Sequence, residues 1–258
     1  MNVEIIQLLM LFEGYEYFIL FLAGLASGSI NTIAGGGSLL TLPILIFMGL
    51  PPTVANGTNR VQLIFSQFFA VYGFKSKGIF NYKLSLWLAT SAVIGSLIGA
   101  KIAIELPEEF FKKILSVVMI LVMINMIFKK NISQKEKLNQ IKKQNLSIFL
   151  FFFIGMYGGF IHAGVGFLMI LILSGVNGLD LVKANSIKVF VALLFTICAF
   201  GIFLLENKVQ WIYGINLAIG SSIGGWITSR WSFNKSEKIM KYILCIIICF
   251  LAVRLWMF

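Results

Sequence analysis

Charge is scarce in this chain. Asp, Glu, Lys and Arg make up 12% of its 258 residues, against about 25% in a soluble domain. With 59% hydrophobic residues and a mean hydropathy of +0.94, that scarcity excludes a water-soluble domain and points to one polytopic membrane domain. Histidine occurs once, and no Asp or Glu stands in the middle of any apolar span. General acid–base catalysis therefore has almost no candidates, and neither a carboxylate proton relay nor a carboxylate cage for sodium is supported. The sequence has no glycine-rich phosphate loop ending in Gly-Lys-Ser or Gly-Lys-Thr, no Gly-x-Ser-x-Gly elbow and no His/Cys/Asp cluster. We expect no enzyme, no catalytic residue, no cofactor and no metal, and an ATP-driven pump would need a partner subunit. Cysteine is rare too. Cys198, Cys245 and Cys249 lie in apolar runs, the last two one helical turn apart rather than in a C-x-x-C spacing, and read as small packing residues. Ahead of the first span stand Glu4, Glu13 and Glu16 with no Lys or Arg, the wrong charge for a signal peptide, so the first span is expected to be retained.

What is present is a duplication. A shift of 129 residues lays Gly35 on Gly164, Gly37 on Gly166, Gly49 on Gly178, Ala55 on Ala184 and Asn56 on Asn185. The same shift lays Ile94-Gly95 on Ile223-Gly224 and Lys101 on Arg230. Upstream of Gly35 the register slips, and Gly28-Ser29-Ile30-Asn31 matches Gly159-Phe160-Ile161-His162. An apolar chain built of two related halves points to a transporter with one central site. The net charge of +11 sits in loops between apolar spans, which fits an anionic cytoplasmic leaflet rather than nucleic acid.

Apolar stretches run at 17–33, 38–50, 55–73, 84–103 and 109–128, and again at 147–162, 166–178, 184–204, 210–229 and 239–257. Most approach the ~20 residues that cross a bilayer as helix. The short ones, 38–50 and 166–178, follow glycine clusters that break a helix and let backbones approach. The expected organisation is a first repeat at 1–128, a basic linker at 129–145 (Lys129, Lys130, Lys135, Lys137, Lys142 and Lys143 against Glu136) and a second repeat at 146–258. If 17–50 and 147–178 each count as two crossings, the halves are inverted. Lys and Arg then divide fourteen to five, with the linker on the richer side. One crossing each gives parallel halves and eleven to eight. The positive-inside rule favours the sharper split, which puts the linker in the cytoplasm and both termini outside. A re-entrant hairpin gives the same parity, so crossing and re-entrance stay open. The fold class expected is an all-α polytopic membrane protein of two inverted repeats, each with a Gly-broken or re-entrant first helix.

Two cations remain outside the loops, Arg60 and Lys188, each near the start of the third element of its half. A charge at membrane depth marks a functional candidate by default; the alternative is that both snorkel to the interface. They are offset by one position, since Lys188 aligns with Asn59. Cations, helix breaks and the lack of intramembrane acids together favour an anionic ligand. Beside the breaks stand Asn31, Thr32, Ser38, Thr41, Asn56, Thr58, Asn185 and Ser186, which either meet oxyanion oxygens or bond to helix backbone. His162 occupies the break where the first half has Asn31. It is the one span side chain whose reference pKa lies near neutrality, hence the candidate proton carrier. Its other reading is a neutral ring bonded to carbonyls that the break frees. Gln62, Gln67 and Asn125 are weaker candidates, and the aromatic run from Phe149 to Phe153 reads as lipid-facing or packing surface.

Gly35-Gly36-Gly37-Ser38, Pro43, and the run Gly49-Leu50-Pro51-Pro52-Thr53-Val54-Ala55-Asn56-Gly57-Thr58-Asn59-Arg60 resemble the first repeat of the TauE/SafE family. That family includes membrane exporters of sulfite and organosulfonates. Gly158 to Gly166 and Ala184-Asn185-Ser186-Ile187-Lys188 resemble its second repeat, so the likeness spans nearly the whole chain. It departs where Gly36 becomes Val165, Pro43 becomes Ile172 and Asn31 becomes His162, so the halves of the site are not identical. The resemblance implies that ligand binds at the Gly breaks and Ala-Asn segments: Asn31, Thr32, Gly35, Gly36, Gly37, Ser38, Asn56, Thr58, Asn59, Arg60, His162, Gly164, Gly166, Asn185, Ser186 and Lys188. The expectation is a secondary transporter, an exporter of a small anion such as sulfite or an organosulfonate, in the bacterial inner membrane. The partners expected are that anion and the lipid bilayer, with a homo-oligomer left open and no nucleic acid. A passive anion channel and a non-transporting scaffold or partner subunit are the alternatives.

Overall fold

A computed structural model of the chain describes residues 3–33, 35–76, 82–128 and 143–230. Among them all regular structure is helical: α1 (Val3–Ile33), α2 (Ser38–Phe47), α3 (Pro52–Lys75), α4 (Tyr82–Glu105), α5 (Glu108–Phe128), α6 (Gln144–Phe160), α7 (Val165–Gly175), α8 (Leu181–Leu205) and α9 (Trp211–Arg230). The internal shift reappears in the boundaries, since α8 starts 129 residues after α3 and α9 starts 129 residues after α4. Different local chemistry starts the equivalent helices. Pro52 opens α3 behind Pro51, where a missing N–H costs nothing. Asp180 caps α8 by accepting from the N–H groups of Val182 and Lys183 at 3.1 and 2.9 Å. Two boundaries depart from the apolar pattern. α1 begins at Val3, well before the expected 17, because Glu13 and Glu16 interrupt the apolar pattern without breaking a helix; α6 begins at Gln144, inside the expected linker. The span at 239–257, residues 129–142, Cys245 and Cys249 lie outside the described residues.

Neither short helix is long enough to span a hydrocarbon core as helix. Ten residues of α2 rise roughly 15 Å at 1.5 Å per residue, half of a ~30 Å hydrocarbon core. Instead α2 doubles back along α1. Gly37 packs on Ser27, and Leu45 and Leu50 share a buried cluster with Leu20 and Ala23. α7 does the same against α6, with Val165 beside Gly158 and the Ser147 hydroxyl donating to Asn177 Oδ1 at 2.9 Å. The reversals turn on Gly35 at φ +80° and Gly164 at φ +73°, a left-handed region where a Cβ is strained.

The halves interlock through close glycine contacts. Gly24 and Gly28 of α1 lie on Leu217 and Ser221 of α9, while Gly155 and Gly159 of α6 lie on Ala92 and Ser96 of α4. Numbers rise together across each pair, so α1 runs parallel to α9 and α6 parallel to α4. Glycines four apart let helix backbones approach, which is how helices associate where no water drives them together. Between these pairs α3 meets α8. Arg60 lies over the Phe203 ring at 4.6 Å, and Phe74 packs with Val189, so these two equivalent helices run antiparallel.

Burial is inverted relative to a protein in water. Asn31, Asn56, Asn59, Arg60, Gln62, Gln67, His162, Lys188 and Thr196 are buried, whereas Phe18, Phe65, Phe68, Trp87, Ile94, Leu97 and Ile219 are exposed. An apolar exterior of that extent needs a lipid partner. The aromatic run divides: Phe149 and Phe153 face outward and Phe151 is fully buried. Cys198 is a partly buried free thiol.

Where the two reversals cross, Gly166 N–H donates to the Gly35 carbonyl at 3.2 Å, and a Cβ on either glycine would overlap the other's backbone. Gly35→Ala and Gly166→Ala should each cost at least about 2 kcal/mol and lower the melting temperature in detergent. Gly201→Ala, with open space around it inside α8, should leave the melting temperature unchanged or raise it slightly.

Candidate functional site

The reversals leave two helix ends, those of α1 and α6, inside the protein. The last carbonyls of a helix have no intrahelical donor, and lipid offers none. Here each end receives a cation from the other half. Lys188 of α8 donates from Nζ to the carbonyls of Asn31 and Thr32 at 3.0 and 3.2 Å, at the end of α1. Its third bond goes to Asn185 Oδ1 at 2.7 Å. Arg60 of α3 donates from Nη2 to the carbonyls of Gly158 (3.3 Å) and Gly159, at the end of α6. Asn56 Nδ2 donates to the next carbonyl, Phe160, at 2.7 Å. Cations at helix C-termini also complement the partial negative charge there.

Neither cation snorkels. Arg60 is 0% and Lys188 2% exposed. The one-residue offset between them therefore does not change what they reach: each caps the interrupted helix of the opposite half. Their remaining donors differ. An ammonium has three N–H groups, and Lys188 uses all three. Arg60 uses Nη2 alone; its Nε and Nη1 are buried without a partner among the described residues.

Beside Lys188 lies a small cavity with room for roughly one water molecule. Asn31 and Gly35 of the first reversal, His162 and Gly166 of the second, Gln67 of α3 and Ala192 of α8 line it together with Lys188. The His162 ring, 2% exposed, stacks on Phe195 with centroids 5.3 Å apart, and its Nε2 lies 3.5 Å from Gln67 Nε2. The freed carbonyls do not hold it. They go to Arg60, Asn56 and Tyr157, whose hydroxyl donates to Ala163 at 2.5 Å. Nδ1 of His162 and Oε1 of Gln67 have no partner among the described residues.

The expected site residues thus divide. Asn31, Gly35, His162, Gly166 and Lys188 meet at the cavity, with Asn185 bonded to Lys188 behind it. Asn59 belongs to a separate buried network: its Oδ1 accepts from Thr41 at 2.6 Å and from Gln62 at 2.8 Å, and Gln62 reaches Ser27 at 3.3 Å. Thr32 and Ser186 bond to helix carbonyls (Gly28 at 2.9 Å, Lys183 at 2.8 Å), and Thr58 accepts from the Gln210 N–H at 2.8 Å. Gly36 and Gly37 make room for the Phe167 ring and Ser27, Ser38 Oγ is buried without a partner among the described residues, and Gly164 supplies the second turn. Asn125 lies outside the described side chains. Gln67, a weaker candidate by sequence, lines the cavity, as do Val165, Val189 and Ala192. Nothing in the local sequence of these apolar residues marks them.

The family model described as sulfite exporter TauE/SafE matches residues 20–255. A "probable membrane transporter protein" of a Sinorhizobium species is 30% identical over 92% of this chain and 90% of its own length. A probable membrane transporter protein of Haemophilus influenzae is 28% identical, covering 86% of this chain and 88% of itself. One from Bacillus subtilis is 27% identical, covering 88% and 94%. No solved structure matches the chain.

Because buried carbonyls left without donors cost about 1–3 kcal/mol each, Lys188→Met and Arg60→Met should each destabilise the protein by about 2–4 kcal/mol. Lys183→Met changes a side chain that is 55% exposed and should alter stability by less than about 0.5 kcal/mol. Thermal melts of the three variants check this ordering.

Proposed function

Since the chain belongs to the TauE/SafE family of membrane transporters, we propose that it is a secondary transporter exporting a small anion, sulfite or an organosulfonate, by alternating access around a site between its halves. One observation carries the anionic reading. Two buried cations converge on the helix reversals, and among the described residues no Asp or Glu is buried to neutralise them. The ligand's charge is held by Arg60 and Lys188 together with the Gly-break and Ala-Asn segments. An anion reaching Lys188 displaces either Asn185 or a carbonyl at the end of α1, because that ammonium has no donor free. Displacing the carbonyl loosens one tie between the halves, which couples ligand to movement. Arg60, with free donors, takes up negative charge without releasing α6.

The halves form inverted repeats whose first two helices are re-entrant hairpins. The antiparallel run of α3 against α8 supports this, as do the parallel pairs α1 with α9 and α4 with α6. With the linker in the cytoplasm, Lys75, Lys83, Lys183 and Arg230 fall at the cytoplasmic ends of their helices and Lys101, Lys112, Lys113 and Lys208 at outer ends; the linker lysines supply much of the excess that the positive-inside rule asks for. His162 carries the coupling proton. The ring contacts the cavity, Nδ1 has no partner among the described residues, and Gln67 stands beside it.

In sealed proteoliposomes, sulfite should move against its gradient when a pH gradient is imposed and stop when an ionophore collapses it. Arg60→Gln and Lys188→Gln should weaken sulfite affinity at least tenfold. His162→Asn should keep downhill flux and lose the response to pH. Flux that is only ever downhill would make the protein a channel, and no saturable flux of any anion would make it a scaffold. For topology, a reporter fused after Phe258 should be active outside and silent in the cytoplasm; the reverse pattern overturns the inverted arrangement.

A further inference from the structure

The antiparallel contact of α3 and α8 has a regular register. Arg60, Gln67 and Phe74 recur every seven residues on α3, and Val189, Thr196 and Phe203, their equivalents under the 129-residue shift, do so on α8. A seven-residue repeat keeps side chains on one face of a helix. Arg60 faces Phe203 and Phe74 faces Val189, so the register places Gln67 opposite Thr196. His162 marks this midpoint from the second reversal: it approaches Gln67 and stacks on Phe195, the neighbour of Thr196.

Polarity changes along the seam. At its centre Gln67 Oε1 and Thr196 Oγ1 are buried with no hydrogen-bond partner among the described residues. Buried polar atoms in proteins are normally satisfied, and a threonine inside a helix ordinarily bonds a carbonyl one turn back. At the two ends sit Phe74 and Phe203, both buried. Phe203 covers the Arg60 guanidinium, while Phe74 packs on Val189 at the edge of the cavity.

We propose that the α3–α8 seam is the translocation path, with Gln67 and Thr196 as ligand contacts at its midpoint and Phe74 and Phe203 as the gates toward opposite membrane faces. This rests on the transporter reading and deepens it by assigning the route. The gates are equivalent residues of the two halves at opposite ends of one seam, so displacing one opens the midpoint to one side and displacing the other opens it to the other side. Under the topology above, Phe74 closes the cytoplasmic side and Phe203 the outer side.

The test needs no substrate, so it can fail while sulfite transport holds, or hold while transport fails. A full-length protein with Cys198, Cys245 and Cys249 replaced by Ser would carry one reporter, Ala192→Cys in the cavity wall or Thr196→Cys at the midpoint. After reconstitution in a defined orientation, a membrane-impermeant maleimide is applied from either side. Both reporters should react slowly with the gates intact. Phe74→Ala should raise modification at least tenfold from the face where α3 ends, and Phe203→Ala should do so from the opposite face. Ala89→Cys, buried off the seam between α4 and α6, should stay unreactive throughout. Phe74→Leu and Phe203→Leu repeat the comparison if the alanine variants do not fold. Opening from the same face in both variants, no change in either folded variant, or equal exposure of Ala89→Cys would overturn the proposal.

Discussion

Two helices that stop inside a membrane domain leave carbonyl oxygens where no water can reach them, and the rest of this structure follows from how those ends are satisfied. An unpaired buried carbonyl costs about 1–3 kcal/mol, and a buried lone cation costs more. Pairing Lys188 with the end of α1 and Arg60 with the end of α6 meets both costs at once. Because each cation comes from the opposite half, neither half can complete its own interrupted helix. The duplication is thus one cooperative unit, although its sequence reads as two.

The same constraint shapes the surroundings. The glycine pairs seat α1 against α9 and α6 against α4, flanking the α3–α8 pair that supplies the capping cations. The helix reversals need a left-handed backbone, which Gly35 and Gly164 supply. Together these features leave a polar interior narrower than the helices around it. Its cavity is small because Gly35 and Gly166 touch at its edge.

The two halves also differ at the site. Position 31 is Asn and its counterpart His162; Lys188 aligns with Asn59, and Arg60 with Val189. One side therefore has a saturated ammonium beside a cavity, and the other a guanidinium with free donors under Phe203. A perfect two-fold site would offer the same chemistry at both reversals, whereas this one differs between them.

Much of this was legible in the amino-acid order. Hydropathy and the missing acids gave a helical membrane protein, and the internal shift gave equivalent helices with matching starts. The Gly clusters located both reversals, and Arg60, Lys188 and His162 stood out because charge and imidazole are rare in apolar spans. Those features are local or periodic, so one strand of sequence contains them. What each polar group bonds to was not legible. The Arg60 and Lys188 partners are backbone carbonyls far along the chain, and a carbonyl carries no residue identity that a sequence could signal. Gln67 gained its place only when α3 met the second reversal, and the antiparallel register of α3 and α8 set Phe74 and Phe203 at opposite ends. The sequence by itself determined that polar groups must be buried in an apolar chain. Only the tertiary structure decided which helix end each would satisfy, because that depends on distances between segments that sequence separation does not encode.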